Sequence, residues 1–218
     1  MRRGRRSSGG AVLLAVLACL LPVGGCARSV DGAPTAGAGE PLPASADDLG
    51  ALVLSEVPSG LRRLPDDGLM PPAGAKRVED VAGYARDPAR ERAVLQDYGY
   101  RHGWERFWGS ESGPITAVLV DQFETRAGAG AYAEDLARNE AEHYRGMLRE
   151  DPDGLPGGCW LLTVEHPDAG QLHGPSAFVW CMHGVFSVSA TAVAGSVEAA
   201  EAEVRAVVAA QLDRLPPH

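Results

Sequence analysis

Two apolar segments in the C-terminal third, GCWLLTVEH and SAFVWCMHGVFSVSATA, restrict the fold more than any other part of the chain. Each alternates with a period of two residues, as half-buried strands do. Trp160, Leu162 and Val164 share one side of the first. Phe178, Trp180, Met182, Phe186 and Val188 share one side of the second, read as a single strand, and each segment carries its cysteine on the other side. Paired antiparallel with Cys159 opposite Cys181, the segments set Trp160 against Trp180 and Leu162 against Phe178, leaving HPDAGQLHG as the connection. In that register every large apolar residue falls on one side of the sheet, and a slip of one residue would undo the arrangement. Cysteines opposed at a non-hydrogen-bonded site also have the short Cα separation that a disulfide tolerates. A Cys159–Cys181 disulfide is therefore expected. Closing a loop of about 20 residues stabilises a fold by roughly 3 kcal/mol on the chain-entropy argument. A redox pair fits less well, because the two cysteines lie on separate strands with no helix N-terminus beside them to lower a thiol pKa.

The remaining elements follow from punctuation and period. Ser45 with Asp48 three residues later reads as a helix start, continued by Leu49, Leu52 and Val53 and stopped by Pro58. The Pro- and Gly-rich stretch from Leu61 to Ala75 reads as a loop, and Val78, Val81 and Tyr84 as a short helical turn. Asp87-Pro88 opens a helix that Gly99 closes. The segments from Tyr100 to Trp108 and from Ile115 to Phe123 read as a hairpin around SESGP. A helix is expected from Thr125 to about Leu148, and a last one from its Ser196 cap to Leu215 before Pro216. Helices, two strands, a helix, two strands and a helix make an α+β domain: an antiparallel sheet with helices packed on one face.

The N-terminus bears on location. Arg2, Arg3, Arg5 and Arg6 precede an uncharged apolar run, Ala11 to Leu21. That run is far short of the roughly 20 residues a membrane-spanning helix needs and suits a signal-peptide core. The LPVGGC that follows resembles the bacterial lipobox, in which a peptidase cuts before a lipid-modified cysteine. The resemblance implies a lipoprotein signal peptide over residues 1–25 and lipidation at Cys26. Residues 26–44, rich in Ala, Gly and Pro, read as a disordered tether, and residues 45–218 as a single α+β domain. The expected location is the extracytoplasmic face of the cell membrane, with the lipid as the membrane contact. Cleavage would remove four of the 20 basic side chains and none of the 29 acidic ones, for a net charge of −13. Such a surface excludes nucleic acid as a partner, since that demands a basic face.

Motifs for chemistry are sparse. HExxH, GxSxG, P-loop, CxxC and Rossmann glycine patterns do not occur, so no cofactor, metal or catalytic residue is expected. Glu140-x-x-His143 has the spacing of a di-metal helix pair, yet such sites require further carboxylates on neighbouring helices, and a solvated face is the simpler reading. His166 and His173 bracket a hairpin loop without a third ligand. The segment Tyr100, His102, Trp104, Arg106, Trp108 is less ordinary, because it interleaves polar groups with aromatics on one face of a strand. Either the rings are core and the polar groups lie at the strand's ends or edge, or the face lines an aromatic groove with His102 and Arg106 as handles for a glycan, a lipid headgroup or an acidic metabolite.

The lipobox and tether are similar to those of actinobacterial cell-envelope lipoproteins. The segments ITAVLVDQFETRAGAGAY, CW and AFVWCMHGVFSVSATA and the terminal helix resemble the extracellular sensor-type domain of mycobacterial serine/threonine kinases and related lipoproteins. That resemblance implies a non-catalytic α+β domain that binds a small molecule or an envelope protein. The family usually carries two disulfides, whereas this chain can form one. An enzyme of unrecognised type, such as a hydrolase, and a purely structural or protein-interaction module are the alternatives.

Overall fold

The computed structural model describes residues 41–110, 113–168 and 172–216. The signal segment and the lipid expected at Cys26 lie outside the described residues. Five α-helices and seven strands follow in the order α1 (Ala46–Leu52), β1 (Gly74–Lys76), α2 (Val78–Ala82), α3 (Pro88–Asp97), β2 (Tyr100–Gly109), β3 (Ile115–Phe123), α4 (Arg126–Tyr144), β4 (Met147–Glu150), β5 (Cys159–Val164), β6 (Ser176–His183), β7 (Phe186–Val193) and α5 (Val197–Leu212) among the described residues. The strands form one antiparallel sheet in the order β1-β2-β3-β7-β6-β5-β4. This is the α+β architecture of an antiparallel sheet with helices packed against it.

The register across β5 and β6 pairs Cys159 with Cys181, Trp160 with Trp180 and Leu162 with Phe178. Met182 N–H donates to Gly158 O at 3.0 Å, which leaves the cysteines at a non-hydrogen-bonded site. Their Cα atoms are 4.1 Å apart and the sulfurs are bonded.

The alternation of β6 feeds two cores. Val179 and Cys181 join Leu161, Val118, Val120 and Val188 in a cluster under α1 and α5, which contribute Leu49, Val53, Val204 and Val208. Phe178 and Trp180 join Leu162 and Val164 on the other side, beneath Ala133 and Ala137 of α4. Thus α1 and α5 share one face of the sheet, as expected, and α4 lies over the other.

The second cysteine segment is two strands rather than one. His183 pairs with Phe186 around a two-residue turn, with Gly184 at φ 57°, the left-handed backbone that tight hairpins require. Phe186 and Val188 therefore face the α1/α5 side with Cys181 instead of continuing the row of Phe178 and Trp180. The α4 helix ends earlier than its period suggests. Arg145 takes a left-handed conformation at its C-cap, and Gly146 follows where a Cβ would lie 2.5 Å from Thr163 O. Only glycine lets the chain turn so tightly against β5, and β4 then extends the sheet. At the end of the stretch read as a loop, β1 adds the opposite edge strand.

A capping box between Ser45 and Asp48 starts α1, and side chains from elsewhere hold its far end. Gln211 accepts from Leu54 N–H at 3.0 Å and donates to Leu52 O at 3.1 Å, while Arg214 donates to Leu52 O at 2.8 Å and Ala51 O at 3.2 Å. These bonds satisfy carbonyls that a helix end leaves open.

Candidate ligand-binding cleft

The aromatic strand does not present its five expected residues on one face. Tyr100 pairs with Phe123 and His102 with Gln122, so Arg101 is an extra residue in β2. This bulge puts Tyr100 on the side of Phe123, whose ring it meets edge-on at 5.6 Å. Trp104 and Trp108 fall on the opposite side, in the cluster under α1 and α5, and alternation places His102 and Arg106 with them.

On that opposite side α1 fills the groove the sequence left open to a ligand. The Arg106 guanidinium donates to Val53 O at 2.6 Å, Leu54 O at 2.8 Å and Gly50 O at 2.9 Å. Trp108 is fully buried and its indole N–H donates to Ser55 O at 3.2 Å. The Trp104 ring lies so near Gly50 that a Cβ there would come within 2.6 Å. A cation at a helix C-terminus is favoured by the exposed carbonyls and the helix dipole. Arg106 is thus a helix cap, and burial pushes the His102 imidazole below its ordinary pKa.

The open space lies on the other face. Ala117 pairs with Thr191 and Leu119 with Ser189 near the middle of the sheet, yet Ala117 and Leu119 are only half-buried. Large residues of β5 and β6 (Leu162, Phe178, Trp180) pack against small ones of α4 (Ala133, Ala137), which seats the helix over that half of the sheet. Across β3 and β7 the space between α4 and α2 stays open as a cleft of about 650 Å³. Tyr144 stacks on Phe178 at 5.1 Å, and Phe178 lies parallel to Trp180 at 5.6 Å, along one wall. Tyr132 and Tyr84 add two further rings, and Glu91, Glu105, Asn139, Glu140 and His143 bring polar groups. A second hollow of about 360 Å³ continues it, sharing Glu91, Tyr132, Leu136 and Asn139 and adding Asp135 and Arg90.

A buried polar cluster closes the inner end. Lys76, the single lysine of the chain, is 2% exposed, and its Nζ lies 3.0 Å from Glu105 Oε2. The Tyr84 hydroxyl donates to the same oxygen at 2.9 Å, and the lysine ammonium sits 5.5 Å from the centre of the Tyr84 ring. Behind this pair Asp121 is wholly buried, with the Tyr100 hydroxyl as its polar neighbour. Gly103 opposite makes room for it, since a Cβ there would stand 2.2 Å from Asp121 Oδ1. Burial pushes the Asp121 carboxyl up to about 8, with the Tyr100 hydroxyl opposing. At neutral pH this carboxyl is mainly protonated. Burial likewise raises Glu91 and Glu140 above the ordinary carboxylate range.

The titratable groups of β2 do not converge. His102 and Arg106 lie on the α1 side of β2, and Glu105 faces the cleft with Lys76 and Tyr84 as its partners. Among the described residues no group of three or more His, Cys, Asp and Glu is placed to hold a metal ion, and no helix is long and apolar enough to cross a membrane. Glu140 and His143, read as a solvated pair, line the cleft together. Sequence reasoning passed over Ala117, Leu119, Ser189 and Thr191. Their signal was the Ser187-x-Ser189-x-Thr191 alternation of β7, a row of small polar residues where a covered core strand would carry large apolar ones.

No family profile and no curated protein matches the chain. The fold is similar to the crystal structure of the extracellular domain of PknH from Mycobacterium tuberculosis, at 12% sequence identity and a TM-score of 0.46, over 79% of this chain and 98% of that one.

Proposed function

We propose that the chain is a non-catalytic, extracytoplasmic lipoprotein, anchored through lipid at Cys26, whose domain holds a small-molecule ligand in the cleft between α4 and the uncovered half of the sheet. The observation that carries the binding reading is the half-exposed pair Ala117 and Leu119 at the floor of a cleft of about 650 Å³. An apolar floor with ring-bearing walls and a few polar groups is the usual composition of a ligand pocket. The separation of His102 and Arg106 from Glu105 supports binding over catalysis. The lipobox-like LPVGGC and the signal-like segment before it support the anchor.

Thermal unfolding of the full chain in detergent, against envelope glycans, lipid headgroups, acidic metabolites and amines, tests the cleft. A ligand at 100 times its Kd stabilises the folded state by about 2.7 kcal/mol. Stabilisation in the wild type that Ala117→Trp abolishes, by filling the floor, is the expected result. A panel without effect, or one whose effect survives that substitution, would remove the cleft as the site. Mass spectrometry of the protein from its native membrane tests the anchor, and an unmodified Cys26 would refute it.

A further inference from the structure

The lining chemistry narrows the ligand, on the footing that the cleft is the binding site. Glu91 and Glu140 stand in the cleft without an ion-pair partner among the described residues, unlike Glu105, which Lys76 neutralises. The adjoining hollow adds Asp135, whose carboxylate already accepts from the Tyr98 hydroxyl. Opposing them are Arg86, exposed at the mouth, and Arg90 of the hollow, with His143 beside Glu140. The acidic groups sit among Tyr84, Tyr132, Tyr144, Phe178 and Trp180. Aromatic faces attract cations, most strongly where water is excluded.

The inner end shows this chemistry already at work inside the chain. The Lys76 ammonium is held by one carboxylate, Glu105, and over one ring, Tyr84. Further out, Glu140 lies beside Tyr144, the outer ring of a stack whose inner members, Phe178 and Trp180, are buried, and no lysine of the chain supplies the cation. We propose that the cleft binds an ammonium-bearing organic cation, with Glu91 and Glu140 as its charge partners and the Tyr144–Phe178–Trp180 rings as its wall. The positive charge of such a ligand would also offset the burial that raises both glutamates. An anionic ligand would have to displace that charge arrangement.

The ammonium could belong to a free amine or to a lipid headgroup, and the experiment separates the two. Calorimetric titration of the full chain uses choline, spermidine, the uncharged choline isostere 3,3-dimethylbutanol, and butyrate. Co-sedimentation uses phosphatidylethanolamine vesicles against phosphatidylglycerol vesicles, for the parent and for Glu91→Gln with Glu140→Gln. Only a preference that the paired substitution removes is counted, which subtracts uptake through the lipid at Cys26. Choline or spermidine should bind about tenfold or more tightly than the uncharged isostere, a difference of about 1.4 kcal/mol. Raising NaCl from about 50 to about 500 mM should weaken that binding in the wild type, with no variant needed. The pair Glu91→Gln with Glu140→Gln should lower amine affinity about tenfold while melting like the parent. Preference for ethanolamine vesicles without binding of free amines would keep the ammonium and assign it to lipid. Equal binding of the isostere, or preference for butyrate, would overturn the cation and leave the cleft standing. No binding of any amine or ethanolamine vesicle would overturn it too, with the broad panel and Ala117→Trp judging the cleft separately.

Discussion

Lys76 and Glu105 form a buried ion pair, Nζ to Oε2 3.0 Å, between the edge strand β1 and its neighbour β2. Removing either partner strands the other charge in low dielectric, a loss of about 3–5 kcal/mol, whereas removing both costs far less. Urea unfolding of Lys76→Met, Glu105→Gln and the double variant should therefore show the double less destabilised than the sum of the singles. Strict additivity would show that the pair is not coupled.

Arg106 replaces three open carbonyl sites at the end of α1 with charged hydrogen bonds. Arg106→Ala should lower stability by about 2–4 kcal/mol, given that such bonds contribute about 1.5–3 kcal/mol each when isolated and less when shared. Hydrogen exchange should show the loss concentrated in α1. Arg106→Lys should recover little, because one ammonium cannot reach all three oxygens in a fixed plane.

Opening the Cys159–Cys181 bond should destabilise the domain by roughly 3 kcal/mol. Alanine at both positions, or reductant during a thermal melt, should give the same lowered midpoint. The sheet should persist by far-ultraviolet circular dichroism, because the strands pair through five register positions besides the cysteine pair.

Asp121 sets a pH dependence of definite sign. Its folded pKa of about 8 lies far above the ordinary aspartate value of about 3.9, so the folded state holds a proton that the unfolded chain releases. Its contribution is complete below about pH 4, falls as pH rises and is exhausted above about pH 8. Urea unfolding at steps from pH 5 to pH 9 should show stability declining with pH. Asp121→Asn, which keeps the group neutral, should flatten that decline. An unchanged slope would place the titration elsewhere.

The cysteine strands were legible because two unrelated constraints, apolar alternation and sulfur geometry, admitted one register. The same alternation hid the turn at Gly184. His183 to Phe186 keeps an apolar run going, and only its length, well beyond the usual five or six residues of a strand, betrayed two strands. The Arg101 bulge could not be read at all, since alternation counts residues and a bulge breaks the count by one; Tyr100 changed faces as a result. Strand β1, three residues long, is too short to show any period. The left-handed Arg145 that ends α4 is a conformation forced by the approach to β5, a tertiary cause with no local mark. The cleft was hidden for a related reason. Its place depends on where α4 rests, and that is decided by large side chains on β5 and β6 meeting alanines on the helix.

The clasp around α1 has a mechanical consequence. Arg106 from the second strand and Gln211 and Arg214 from the C-terminal end converge on carbonyls of residues 50–54. A tug applied upstream of Ser45 is then shared between strand β2 and the closing helix, and no single edge strand bears it. Those anchorage points lie on the side of the sheet away from Ala117 and Leu119, so tension at the front of the domain is taken up without prying the cleft apart.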